Sequence, residues 1–172
     1  YTMEITASNK ILLKEILIGD VWFCSGQSNM VHQLNIHDVT YAKDIAEANY
    51  PEIRHFWIPT LTSLQGPQID LPTGYWKWAN PQDIRPFSAV AYFFARDVQQ
   101  KLKVPIGLIT TSYGASTAEA WVREEALINE AVCKPLVDSF KRKLNKYNTD
   151  TTAQIKYLAD IEKWKADTAA AK

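Results

Sequence analysis

The chain has 172 residues, a formal net charge of zero and an isoelectric point near 7.0, so no overall charge draws it toward nucleic acid or an anionic membrane surface. Hydrophobic residues make up 47% and aromatics 12%, ample for a packed core, and no run of eighteen apolar residues offers a membrane span. The two cysteines, Cys24 and Cys133, lie far apart without CxxC or Cys/His spacing, which reads as two buried free thiols; no metal and no cofactor is expected.

In chain order, Tyr1 to Thr6 alternates weakly and predicts an edge strand. Ile11 to Phe23 is apolar apart from breaks at Lys14-Glu15 and Gly19-Asp20, and its second part, Ile16 to Phe23, predicts a central buried strand. That strand runs into Cys24-Ser25-Gly26-Gln27-Ser28-Asn29-Met30, where Gly26 permits a sharp reversal that lifts Ser28 to the carboxyl end of the strand. A helix starting at Ser28 would aim its first N–H groups at an anion forming on a carbonyl bonded to Ser28 Oγ, so nucleophile and half an oxyanion hole would share one turn. A short helix is expected within Thr40 to Asn49, and Ile53 to Ile58 predicts a second buried strand closed by Pro59. Thr60 to Pro86, rich in glycine and proline and carrying Tyr75, Trp76 and Trp78, predicts one long loop.

Ser88 is placed to cap a helix with Val90, Phe93, Phe94, Val98 and Leu102 on its apolar face. Pro105 ends it, and Ile106 to Thr111 predicts a third buried strand that leads into a second turn, Ser112-Tyr113-Gly114. Strand, helix, strand in alternation implies parallel pairing, with both turns at the carboxyl ends of strands where such sheets bind ligands. Beyond Pro135 the chain has no glycine or proline and carries 8 Lys/Arg against 5 Asp/Glu. Leu136, Phe140, Leu144 and Tyr147 mark one amphipathic helix, and Asp150-Thr151-Thr152 caps another carrying Ile155, Leu158 and Ile161; a helical hairpin with its apolar faces paired is expected.

Gly26-Gln27-Ser28-Asn29-Met30 resembles the first signature block of the sialate O-acetylesterases, within the SGNH (GDSL-like) hydrolases. The likeness continues in the same order through Asn49-Tyr50-Pro51-Glu52-Ile53-Arg54, Phe87 to Phe94, Pro105 to Ile109 and Ser112 to Trp121. The resemblance implies a three-layer α/β/α, flavodoxin-like fold with a parallel sheet. Residues 1–134 would be the amino-terminal part of the esterase domain, residues 1–15 could belong to the end of a preceding β domain, and 135–172 would be a helical hairpin insertion. It also implies removal of O-acetyl groups from sialic acid or a related glycan through an acetyl-Ser28 intermediate, with oxyanion donors at the Ser28 and Gly114 N–H groups. The localisation implied is the periplasm or outside the cell. An acetylxylan or other polysaccharide acetylesterase is the neighbouring alternative.

Gln27, Asn29, Ala115, Ser116 and Glu119 are further substrate-proximal candidates, although Gln27 and Asn29 also suit any tight turn and Glu119 suits the first turn of a helix better than a catalytic role. Trp121 reads as packing. The family pattern usually has a second glycine where Ala115 stands. Its later asparagine and Asp-x-x-His blocks have no counterpart after Trp121, the last histidine being His55. The expectation is therefore an amino-terminal fragment, completed by the rest of the enzyme on a second chain or a longer one; the abrupt start at Tyr1 and the end at Lys172 are read the same way. The alternative is a catalytically incomplete glycan-binding or assembly module. His32, four residues past Ser28, is the local substitute for a base, but an i, i+4 pair on a helix seldom aligns a ring nitrogen with a hydroxyl. His37 lies in a polar stretch, and His55 reads as a hydrogen-bonded structural histidine.

Overall fold

A computed structural model describes residues 1–64, 66–71 and 73–170. Pro72, one of the predicted loop breakers, and the Ala171-Lys172 terminus lie outside them. The chain divides into two compact units, Tyr1–Thr117 and Ala118–Lys172, and the change of character read at residue 135 falls inside the second.

The first unit opens with an antiparallel hairpin, β1 (Met3–Thr6) and β2 (Lys10–Leu13), that forms its own two-stranded sheet. The main sheet contains β3 (Asp20–Gly26), β4 (Tyr50–Trp57), β5 (Trp76–Ala79) and β6 (Ile106–Ser112) in the order β3-β6-β4-β5. β3 and β4 both run parallel to β6, and β5 closes the far edge antiparallel to β4. Between these strands lie α1 (Ser28–Val31), a 3₁₀ turn at Leu34–His37, α2 (Ala42–Ala46) and the long α3 (Ala89–Leu102).

Three expectations are corrected here. β3 is an edge strand of this sheet, and β6 is central, because β6 inserts between β3 and β4; strand order is a long-range property with no signature inside either strand. Residues 60–86 are not one loop, since Trp76 to Ala79 pairs with β4. The buried side of α3 is Ala89, Ala91, Tyr92 and Ala95, while Val90, Phe94 and Leu102 are exposed. Small alanines let the helix axis approach the sheet, and the bulky residues fall to its flanks, where Phe94 meets Trp22 edge-on at 4.9 Å and Phe93 meets Tyr41 at 5.6 Å. Ser88 caps α3 as expected, its Oγ accepting from Ala91 N–H at 3.3 Å.

The core lies between α3 and one sheet face. Leu34, Ile53, Ile84, Phe87, Tyr92, Ile106 and Leu108 are fully buried there. On the opposite face Val21 and Phe23 are 62% and 63% exposed. At the amino end of the sheet, Gly19 sits so close to Pro105 that a Cβ would lie 2.0 Å from its carbonyl oxygen, the same oxygen that accepts from Asp20 N–H at 2.9 Å. Gly19→Ala must push β3 off β6 or break that bond, and is expected to cost about 1–3 kcal/mol. A urea unfolding midpoint unchanged from wild type would count against this packing.

The second unit holds a 3₁₀ turn at Ala118–Trp121, α4 (Glu124–Asn129), α5 (Lys134–Thr149) and α6 (Thr151–Ala170). Lys141 Nζ bonds Glu124 at 2.6 Å, and the Asp150 carboxylate caps α6 through Ala153 N–H at 3.0 Å. The two expected helices are present, but their apolar faces do not close on each other: Leu136, Phe140, Tyr147, Ile155 and Leu158 remain exposed.

Candidate active site

Parallel register fixes what meets at the carboxyl edge of the sheet. Gly26 pairs with Ser112, and Tyr113 N–H donates to Gly26 O at 3.0 Å, so the turn after β3 and the turn after β6 lie side by side. Gly26 has φ of 145°, a conformation open to glycine, and the reversal there sends the chain into α1 with Ser28 as its first residue. The helix closes its first bonds from Met30 and Val31 N–H to Gln27 O, at 2.9 and 3.0 Å, leaving the N–H groups of Ser28 and Asn29 ahead of the ladder. Ser28, Gln27 and Asn29 are exposed, and Gln27 makes no side-chain cap.

α1 is short and is held from outside. Ala89 N–H donates to His32 O at 2.8 Å, Leu34 N–H to Phe87 O at 3.1 Å, and Gln33 bridges Ser88, which ties the serine turn to the start of α3. Behind α1 a cavity of about 20 Å³ is lined by Met30, Val31, His55, Trp57, Thr110 and Ser112, among others. Cys24 is buried on the strand below, and burial pushes its thiol up, away from thiolate reactivity.

The second turn carries the other candidates. A Cβ on Gly114 would meet nothing within 4 Å, so no packing in the chain demands glycine there; open space in front of its backbone is what an incoming substrate oxygen would need. Ala115 has φ of 61°, in the left-handed region that favours glycine. Ser116 Oγ donates to Tyr113 O at 2.7 Å and closes the turn. Ala115→Gly relieves the strain at the cost of a floppier unfolded chain, so stability is expected to rise by up to about 1 kcal/mol, read as a higher melting temperature. Glu119 falls in the second unit, in the first turn of its 3₁₀ segment.

Among the described residues, no histidine or carboxylate bonds Ser28 Oγ. His32 turns into an aromatic cluster, 4.9 Å from the His37 ring and 6.4 Å from Tyr41. His55, only 4% exposed, stacks on Phe87 at 4.4 Å, and burial pushes its pKa down to about 4. Among the described residues its Nε2 has no hydrogen-bond partner, nor has Thr110 Oγ1, which corrects the expectation that His55 is a hydrogen-bonded structural residue. Among the described residues no group of three His, Cys, Asp or Glu side chains gathers to hold a metal, and no helix is long and apolar enough to cross a membrane.

Sequence reading did not single out Trp57, 43% exposed at the carboxyl end of β4, or Thr110. Trp57 could have been found: it is a large aromatic at the end of a strand that points to the same edge as the serine turn.

The site is a serine on a strand-to-helix turn at the carboxyl edge of a mostly parallel sheet with helices, and comparison gives this mixed α/β unit a class. A carbohydrate acetylesterase from Xanthomonas citri superposes with a TM-score of 0.68 at 33% identity, covering 74% of this chain and 29% of that one. No family model matches the chain. The sialate O-acetylesterase of Rattus norvegicus is 33% identical over 135 residues, 73% of this chain and 24% of that protein, and the human one is 35% identical over 118 residues, 62% and 22%. The chain belongs to the sialate O-acetylesterase family. It spans about a quarter of the length of the curated relatives it matches.

Proposed function

We propose that this chain carries the nucleophile of a serine carbohydrate esterase that removes O-acetyl groups from sialic acid or a related acetylated glycan. The observation that carries the proposal is the pairing of Gly26 with Ser112, which sets the Ser28 turn beside the Gly114 turn. Ser28 Oγ would attack the acetyl carbonyl while a base takes its proton; the carbonyl oxygen becomes an oxyanion facing the N–H groups of Ser28 and Gly114. Collapse breaks the ester bond, the sugar oxygen leaves with the proton, and water then attacks acetyl-Ser28 to release acetate and regenerate the hydroxyl. Gln27, Asn29, Ala115 and Ser116 frame the substrate side of the two turns.

The base, its acid partner and the further oxyanion donor are assigned to the rest of a longer enzyme. Two observations support that assignment: Ser28 has no base among the described residues, and the exposed Val21 and Phe23 mark a sheet face that a third layer of the α/β/α fold would cover. Residues 135–172 are read as an insertion into that domain, and the enzyme as exported. The test is release of acetate from an O-acetylated sugar by the full-length protein and its loss in Ser28→Ala. The second reading, glycan binding without cleavage, is favoured by the same lack of a base; it requires Ser28→Ala to bind glycan like wild type and every longer form to be inert.

A further inference from the structure

Beside the serine turn lies a cavity of about 290 Å³ that the mechanism above does not use. We propose that it is a subsite for an uncharged pyranose ring of the substrate, stacked on Trp57 and bounded by Tyr75; this rests on the esterase reading and names the sugar class it favours.

The location follows from register. Trp57 pairs with Thr110, two residues before Ser112, which pairs with Gly26. Two strand spacings separate β4 from β3 and two residues of rise separate Trp57 from the level of Gly26, so the backbone of Trp57 stands about 12 Å from Gly26, within reach of one substrate's ester and ring. Trp57, His55 and Pro86 also line the small cavity behind α1, so the two spaces share a wall.

The lining matches a sugar. A pyranose presents a face of C–H groups and a rim of hydroxyls. Trp57 and Tyr75 keep 43% and 65% of their surface exposed, and Pro59 and Pro86 supply further apolar wall. An aromatic face, electron-rich against the slightly positive C–H groups, is the partner such a ring takes. Gly74 lets the rim sit close: a Cβ there would lie 2.1 Å from the tip of the Phe56 ring, so a larger residue would have to displace that ring or lift the loop that carries Tyr75.

Charge decides the class. Lys77 is the cation lining the cavity, and it lies 5.3 Å from the Tyr75 ring centroid. It is bonded to Asp83 at 2.5 Å, and that bond holds the Lys77 pKa up and the Asp83 pKa down. The ammonium is neutralised in place; it has N–H groups for ring hydroxyls and no unbalanced charge for a carboxylate.

The test is calorimetric titration of the full-length protein with an O-acetylated xylo-oligosaccharide and, separately, with an O-acetylated sialic acid. The neutral ligand is expected to bind more tightly, and Trp57→Ala to weaken it about tenfold, with partial retention in Trp57→Phe. Tyr75→Ala, on an exposed loop, is expected to weaken it as well and covers the case in which Trp57→Ala does not fold. Trp164→Ala, in α6, should bind as wild type. Equal affinity in Trp57→Ala or Tyr75→Ala, no binding by folded wild type, or tighter binding of the sialic acid overturns the proposal. Fluorophosphonate labelling of the same samples reports on Ser28 without needing the sugar, so labelling without binding sinks the subsite alone, and binding without labelling sinks the esterase reading alone.

Discussion

Ser28→Ala in the full-length protein is expected to lower acetate release by about 10⁴-fold or more, with the fold intact. The magnitude follows from what the side chain does: without Oγ there is no acetyl-enzyme, and what remains is only polarisation of the carbonyl by the two turns. Fold should be insensitive because Ser28 is exposed and its side chain holds no bond among the described residues. α1 is anchored instead by backbone bonds from residues 30–34 and 89. Ser28→Ala is therefore a clean variant, and a melting temperature equal to wild type beside an abolished turnover is the expected pair. Retained turnover would move the nucleophile elsewhere.

The second large effect concerns His55. Burial against Phe87 lowers its folded pKa from 6.5 to about 4, so between those values the unfolded chain binds a proton that the folded chain does not. Stability is then full above about pH 6.5 and falls as pH drops toward 4, by on the order of 3 kcal/mol at the low end. The contribution of the Lys77–Asp83 pair lies in a different window. The Asp83 carboxyl is held below its ordinary value of 3.8 by its bonds to Lys77 and Asn80, so its stabilisation is lost only as pH falls further. His55→Leu removes the buried unpartnered nitrogen and should flatten the urea-unfolding profile between pH 6.5 and 4. An equally steep profile in that variant would assign the acid sensitivity to other groups.

What could be read from residues alone was local. The Gly26-Gln27-Ser28 turn, the Ser88 cap and the strand expected over Ile106 to Thr111 each carry their signal within a few positions; the turn and cap form where expected, and the strand runs one residue further, to Ser112. Ala115, at φ of 61°, occupies the place where the resembled family has glycine, so that departure shows itself as backbone strain. What escaped reading depended on partners distant in sequence. β3 and β6 look alike as apolar runs, and only the insertion of β6 between β3 and β4 makes one an edge and the other a centre. Trp76-Lys77-Trp78-Ala79 has the alternation of a strand, but the glycine and prolines around it read as loop. α3 offered two possible apolar sides, and the choice fell to close approach of alanines to the sheet. The His55 nitrogen without a partner had no sequence signal, since hydrogen bonding at a buried histidine depends on which side chains the fold brings to it.

The most direct test of the central claim is fluorophosphonate labelling of the native, full-length protein followed by peptide mapping, because that probe reports an activated serine without a known sugar substrate. A single adduct on the peptide spanning Gly26 to Met30, placed at Ser28 by fragmentation, is the expected result. An adduct at another serine, or none in a protein that releases acetate, would contradict the account.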